Sequence, residues 1–317
     1  MARFVKLVVV AVAAVLAGCS STPAAQTDPY AIAKTAASSP WDRVQVDVGL
    51  KATSGSQTIQ LDPGAIRFVM DTKAGKGSFH VSLPASSLGA DAASLAMLGI
   101  TNGSIDLDVL YDGDALYARS PLAATLLPAL LAQSGNVPSG DLTGWLKVAT
   151  KSDFDALAAT AGASAAPSSA NLASLDPAAI KSQLEAAGVT LAYAGTTAHN
   201  GADAYHVTIA LDMSKLSNAG SIGSLSTAQL QQLTELSKTT SLSGDVWVDK
   251  GSGRLSEIDM HGSATGTDGG TFDLSLALSE PASGTSFDAP SSSVDVPISS
   301  LLGPILQMAG QSGLGTP

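Results

Sequence analysis

Asn200-Gly201-Ala202-Asp203-Ala204-Tyr205-His206-Val207-Thr208-Ile209-Ala210-Leu211-Asp212 decides the fold. Tyr205, Val207, Ile209 and Leu211 alternate with His206, Thr208, Ala210 and Asp212, a period of two that puts one apolar face on a strand. Asn200-Gly201 is the dipeptide of a tight hairpin turn, because both residues tolerate positive φ. Leu191 and Tyr193 lie on the other side of that turn. Two strands joined so closely must be antiparallel, since a parallel pair needs a long crossover.

The same pattern recurs outward in both directions. Towards the C-terminus, Asp245-Val-Trp-Val-Asp249 and Arg254 to Met260 flank the turn Lys250-Gly-Ser-Gly253, and Asp268-Gly269 turns into Phe272, Leu274, Leu276 and Leu278. Towards the N-terminus, Val44, Val46, Val48 and Leu50 alternate, as do Ile66, Phe68 and Met70, then Ile105, Leu107, Val109 and Tyr111. Asp112-Gly113 returns the last of these into Leu116-Tyr117-Ala118-Arg119. Weaker strand signals stand at 76–83, around Phe79-His80-Val81, and at Trp145-Leu146-Lys147-Val148.

Helices are few. Asp28-Pro29 and Asp176-Pro177 each offer an N-cap followed by proline at the first helical position, predicting helices to about Ser38 and to Ala187 before Gly188. Residues 121–133 form an apolar helical stretch. Further helices are expected near Asp153–Thr160 and after the capping pair Ser226 and Gln229, with Leu230, Leu233 and Leu236 on one face. Residues 161–173 read as an Ala/Ser surface loop, and 297–308 as a second apolar segment interrupted by Pro304. Strands with one apolar face, joined by hairpins, predict an α+β fold: a highly twisted antiparallel sheet wrapped over those helices.

The chain starts with basic Arg3 and Lys6, then eleven apolar residues from Leu7 to Ala17, too short to span a bilayer as a helix. Leu16-Ala17-Gly18-Cys19 follows and resembles the bacterial lipobox. The resemblance implies cleavage after residue 18 and lipidation, palmitate included, of Cys19, the one cysteine present. Residues 1–18 are then a lipoprotein signal peptide, 19–27 the lipidated N-terminus and tether, and 28–317 a single domain. An acyl anchor on the extracytoplasmic side of the cell membrane is the localisation this predicts. Lipidation also removes the thiol from disulfide, nucleophilic and metal chemistry.

The chain carries 16 basic and 27 acidic residues, and loss of Arg3 and Lys6 with the signal leaves a net charge of −13. Such a surface repels nucleic acid and anionic headgroups, which excludes polybasic docking. His80, His199, His206 and His261 show no metal-ligand spacing, and no nucleophile elbow, phosphate loop or dinucleotide fingerprint is present. Asp106/Asp108 and Asp245/Asp249 share strand faces, but read as a solvated acidic surface. No catalytic residue, metal or cofactor is assigned, and an enzyme is not expected.

The order of Asp112-Gly-Asp-Ala-Leu-Tyr-Ala-Arg119, Gly144-Trp-Leu-Lys-Val148, Ala194-Gly195 with Gly201-Ala-Asp-Ala-Tyr-His-Val207, and Gly244-Asp-Val-Trp-Val-Asp-Lys250 resembles the bacterial lipid-carrier lipoproteins of the LppX and LprG type, within the wider LolA and LolB group. The resemblance implies a half-barrel of antiparallel strands over helices, enclosing a hydrophobic cavity. It also implies a lipid or lipidated ligand moved across the cell envelope. Strand parity selects the cavity-wall candidates Val46, Val48, Phe68, Met70, Leu107, Val109, Val207, Ile209, Leu274 and Leu276. The alternative is a non-catalytic interaction module of the same fold with no lipid ligand, docked on an envelope transport protein.

Overall fold

The structure, a computed structural model, describes residues 26–55, 57–84, 103–132, 140–153, 172–212, 215, 240–265 and 269–296. The signal peptide, Cys19 and the apolar segment 297–308 lie outside them, as do nearly all of the helices expected near 153–160 and after Ser226.

Twelve strands form one sheet: β1 (Arg43–Ser54), β2 (Gln57–Asp71), β3 (Lys76–Pro84), β4 (Ser104–Tyr111), β5 (Ala115–Arg119), β6 (Leu146–Thr150), β7 (Val189–His199), β8 (Ala202–Leu211), β9 (Thr240–Asp249), β10 (Leu255–Ala264), β11 (Gly270–Ser279) and β12 (Val294–Asp295). The spatial order is β12-β6-β5-β4-β3-β2-β1-β11-β10-β9-β8-β7, so the sheet is open with β12 and β7 at its edges. The registered pairs are antiparallel except β12 on β6, where Val294 and Asp295 run parallel to Leu146 and Lys147. Among the described residues lie the helices α1 (Pro29–Ala37), α2 (Pro121–Ala132) and α3 (Pro177–Ala186). This is the α+β class and the antiparallel sheet that alternation and turn chemistry predict.

The turns form for the expected reasons. Asn200 and Gly201 take φ of 51° and 83°, the left-handed pair a tight hairpin needs. Asp112 accepts from the N–H groups of Asp114 (2.9 Å) and Ala115 (2.8 Å) to close its turn. Asp28 caps α1 by accepting from the Tyr30 N–H, and Asp176 caps α3 by accepting from that of Ala179. Each occupies a donor the first turn leaves free, and the proline after it has no N–H to orphan.

Strand β2 runs unbroken through Asp62-Pro63-Gly64, although proline brings no N–H to the ladder. Gly64 sits at φ 90°, which lets the strand bend without ending, and the Pro63 ring packs over Gly49, where a Cβ would stand 3.2 Å from Pro63 Cγ.

Contacts cluster the chain into two compact units, divided within β1 and β2 at Asp47/Val48 and Pro63/Gly64. The first contains α1, α3, β7 to β11, and residues 48–63. Tyr30, Ile32, Ala36 and Ala37 of α1 and Ile180 of α3 are buried there, together with Val207, Leu242, Val248, Leu255 and Ile258 from the strands. The second contains β3 to β6, α2, β12, and residues 43–47 and 64–71 of β1 and β2. Its core has two parts: Val69, Leu110, Ala115, Tyr117 and Phe287 with Trp145 packed against them, and Leu127 of α2 with Leu142, Leu146 and Val296.

Candidate functional site

In the second unit, β2, β3 and β4 present two unlike faces. Val69, Ser78, Leu110 and Tyr117 lie opposite one another across four strands, and Phe287 and Trp145 close over this row. Further along the same face stand Arg67, His80, Asp108 and Arg119, aligned in register and polar. Asp108 accepts from His80 Nδ1 (2.7 Å) and Arg119 (2.8 Å). Partial burial works against ionisation of its carboxyl, but the hydrogen bonds and charges of Arg119 and His80 hold it below the ordinary carboxylate value.

The other face is apolar, and the described residues leave it half-open. Phe68 opposes Phe79, which opposes Val109, while Ile66 opposes Val81, which opposes Leu107, with Leu83 and Ile105 beyond. The Phe68 and Phe79 rings meet at 4.6 Å between centroids. None of these residues is fully buried, and Phe68 keeps 38% of its surface exposed. Sheet faces of this composition normally end up covered, which makes this half-open apolar surface the candidate site. Helix α2 lies over the β4 to β6 end of this same face: Leu127 packs with Leu146, which opposes Ala118, which opposes Val109, and the helix carries Leu126, itself 40% exposed.

The ten sequence candidates divide between the units. Phe68, Met70, Leu107 and Val109 share the half-open face just described, and Val46 also falls in that unit. In the first unit, Val207 aligns with Val246, Ile258 and Leu276 in one row across four strands. Ile209, Gly244, Met260 and Leu274 form the next row. Val207 is buried, at 3% exposure, and Val48 is buried as well; Ile209, Leu274 and Leu276 are half-buried. Parity thus groups residues correctly by face, but it does not distinguish a row sealed in core from a row left open.

The four histidines are scattered along the chain, and the sheet gathers three of them. On the polar face of the first unit, His206 Nε2 lies 2.6 Å from Asp245 Oδ1, His199 Nε2 2.6 Å from Glu257 Oε2, and His261 Nδ1 2.9 Å from Asp273 Oδ1. An ionised carboxylate can only accept, so each imidazole nitrogen donates. Trp247 stacks with both His199 and His206, at 4.4 and 5.0 Å between ring centroids. The signal for this cluster was the cross-strand register, which single-strand reading lacks. Among the described residues no three His, Cys, Asp or Glu side chains are placed to hold a metal.

Asp259 sits in the middle of this face, opposite Asp245 and Ser275, and its Oδ1 is buried without a hydrogen-bond partner. Burial raises its pKa above the ordinary 3.8; the charges of Glu257 and Asp245 add to this, while Ser275 and His261 act against it. The folded chain therefore holds that proton more tightly than the unfolded one, and ionised Asp259 costs stability above its folded-state value. Asp259→Asn is expected to raise the melting temperature at pH 7. The gap should close as the pH falls towards 3.8, which thermal melts at several pH values will show. Beside it, an open groove of about 310 Å³ is lined by Lys51, Gln60, Asp62, His261 and Asp273, among others.

No family model matches the chain, and no curated protein does. Among solved structures it is similar to the lipoprotein LppX of Mycobacterium tuberculosis, at 11% identity and TM-score 0.34, over 81% of this chain and 98% of that one. It is similar to LprF of Mycobacterium bovis at 10% identity and TM-score 0.33, over 84% and 94%. A lipoprotein-sorting domain from Vibrio parahaemolyticus follows, with 9% identity and TM-score 0.24, over 81% and 94%. Among the described residues no helix is long and apolar enough to cross a membrane.

Proposed function

We propose that this protein is an exported lipoprotein, anchored through Cys19, which holds an acyl chain of a lipid or lipidated ligand on the apolar face of β2, β3 and β4 and assists its transfer across the cell envelope. The observation carrying this reading is the half-open row of Ile66, Phe68, Phe79, Val81, Leu107 and Val109, apolar along its length and sealed at none of these positions. Covering about fifteen methylenes there would contribute on the order of 12 kcal/mol before the costs of association, enough for a carrier. Specificity for a headgroup would come from elsewhere, since the face offers no charge.

The test is native mass spectrometry of the chain beginning at Ser20, purified from a bacterial host, with solvent extraction of whatever is bound. The expected result is a reproducible adduct of lipid mass, regained after delipidation by incubation with envelope lipids. A bare polypeptide mass that stays unchanged after that incubation overturns the carrier reading and leaves the interaction module.

A further inference from the structure

We infer that the end of the first unit built from the β7–β8 turn (199–202) and the β9–β10 turn (249–254) is the surface that rests against the bilayer. This rests on lipidation of Cys19 in the proposed function and adds to it an orientation. The two turns lie at the same end, because Ala204 pairs with Asp249 and Val248 with Leu255.

The chain enters the unit from that side. The Tyr30 hydroxyl accepts from the N–H of Leu191, near the start of β7, whereas the Gln26 N–H donates to the Tyr205 hydroxyl at 3.3 Å. Tyr205 pairs with Thr196, close to the 199–202 turn. Followed backwards from Tyr30 to Gln26, the backbone therefore moves towards the turns. Seven residue steps separate Gln26 from Cys19. Their full extension is about 25 Å.

Gln26 stands a few residues from the turns, and the opposite end, at Thr240 and Ala264, lies about 30 Å along the strands from them. The anchor thus holds the turns at the headgroup layer and the far end away from it. Lys250, paired with Asp203 at 4.0 Å and set over the Tyr205 ring, and Arg254, over the Trp41 ring, stand at this end with Asp42, Asp203 and Asp249. With both signs of charge present, the contact comes from the shortness of the tether and not from charge attraction, so it should persist at high salt.

The experiment uses the full lipidated chain in zwitterionic vesicles that carry an energy-accepting dye on the headgroups. Lipid occupies the native cysteine, so Ser252→Cys and Ser241→Cys each introduce a single free thiol for a donor fluorophore. Transfer several-fold stronger from position 252 than from 241, unchanged by salt, is the expected result. Equal transfer, or stronger transfer from 241, in a chain that floats with the vesicles overturns the orientation while leaving the anchor intact. A chain that does not float and whose N-terminal peptide has the unmodified mass overturns both.

Discussion

Gly188→Val lowers folding stability by roughly 2–5 kcal/mol, the sum of a left-handed backbone penalty and an overpacking penalty. Gly188 has φ 82° and follows the Ala187 cap of α3; its N–H donates to Glu185 and its carbonyl accepts from Asp212 at 2.7 Å. A Cβ there would run into the Asp212 carbonyl oxygen, which is backbone fixed by that same junction, and would come within 3.0 Å of Lys215 Cβ. Neither neighbour is a flexible side-chain tip, so the strain has no cheap release. The control is Gly201→Val, at nearly the same φ but with open space around it, where the backbone penalty acts alone. Urea unfolding of both variants separates the terms. Equal losses would mean that crowding contributes nothing at Gly188.

That residue also shows what the sequence could and could not disclose. Gly188 was legible as a helix stop, because glycine after an amphipathic run marks a C-terminus. Its crowding against Asp212 depends on a pairing of β7 with β8 that no local pattern contains. The same division holds across the chain. Turns at 112, 200 and 250 and caps at Asp28 and Asp176 are local chemistry, and they form where residue type demands. The run of β2 through Pro63-Gly64 is decided by Gly49 beneath the proline ring, a contact on another strand. The parallel pairing of Val294 and Asp295 on β6 is likewise a long-range event, leaving a two-residue strand too short to show alternation.

The candidate site follows the same rule. Alternation picks Phe68, Leu107, Val109 and Val207 alike as cavity wall, since period two fixes which residues of one strand point together. Whether a face is sealed depends on what packs over it. Phe287 and Trp145 close the Val69–Leu110–Tyr117 row, and nothing in the strand sequences distinguishes that row from its neighbour. His199, His206 and His261 converge because register brings β7, β8 and β10 beside Asp245, Glu257 and Asp273, and register is invisible one strand at a time.

Val109→Asp and Val207→Asp should therefore behave in opposite ways. Val207 is 3% exposed and lies in a packed row, so a carboxylate there is buried without a partner, and the first unit should lose several kcal/mol of stability or fail to fold. Val109 lies on the half-open face, where an aspartate side chain can reach water, and its circular dichroism and melting temperature should stay near those of the parent. Lipid retention should fall instead by about a hundredfold or more, because a charge set against an acyl chain costs several kcal/mol and each 1.4 kcal/mol is tenfold in affinity. Leu107→Asp, on the neighbouring row of the same face, should repeat the result. If Val109→Asp unfolds the chain as readily as Val207→Asp, the face of β2, β3 and β4 is closed in solution by other parts of the protein and is core. If it leaves both fold and lipid retention unchanged, the acyl chain is held somewhere else.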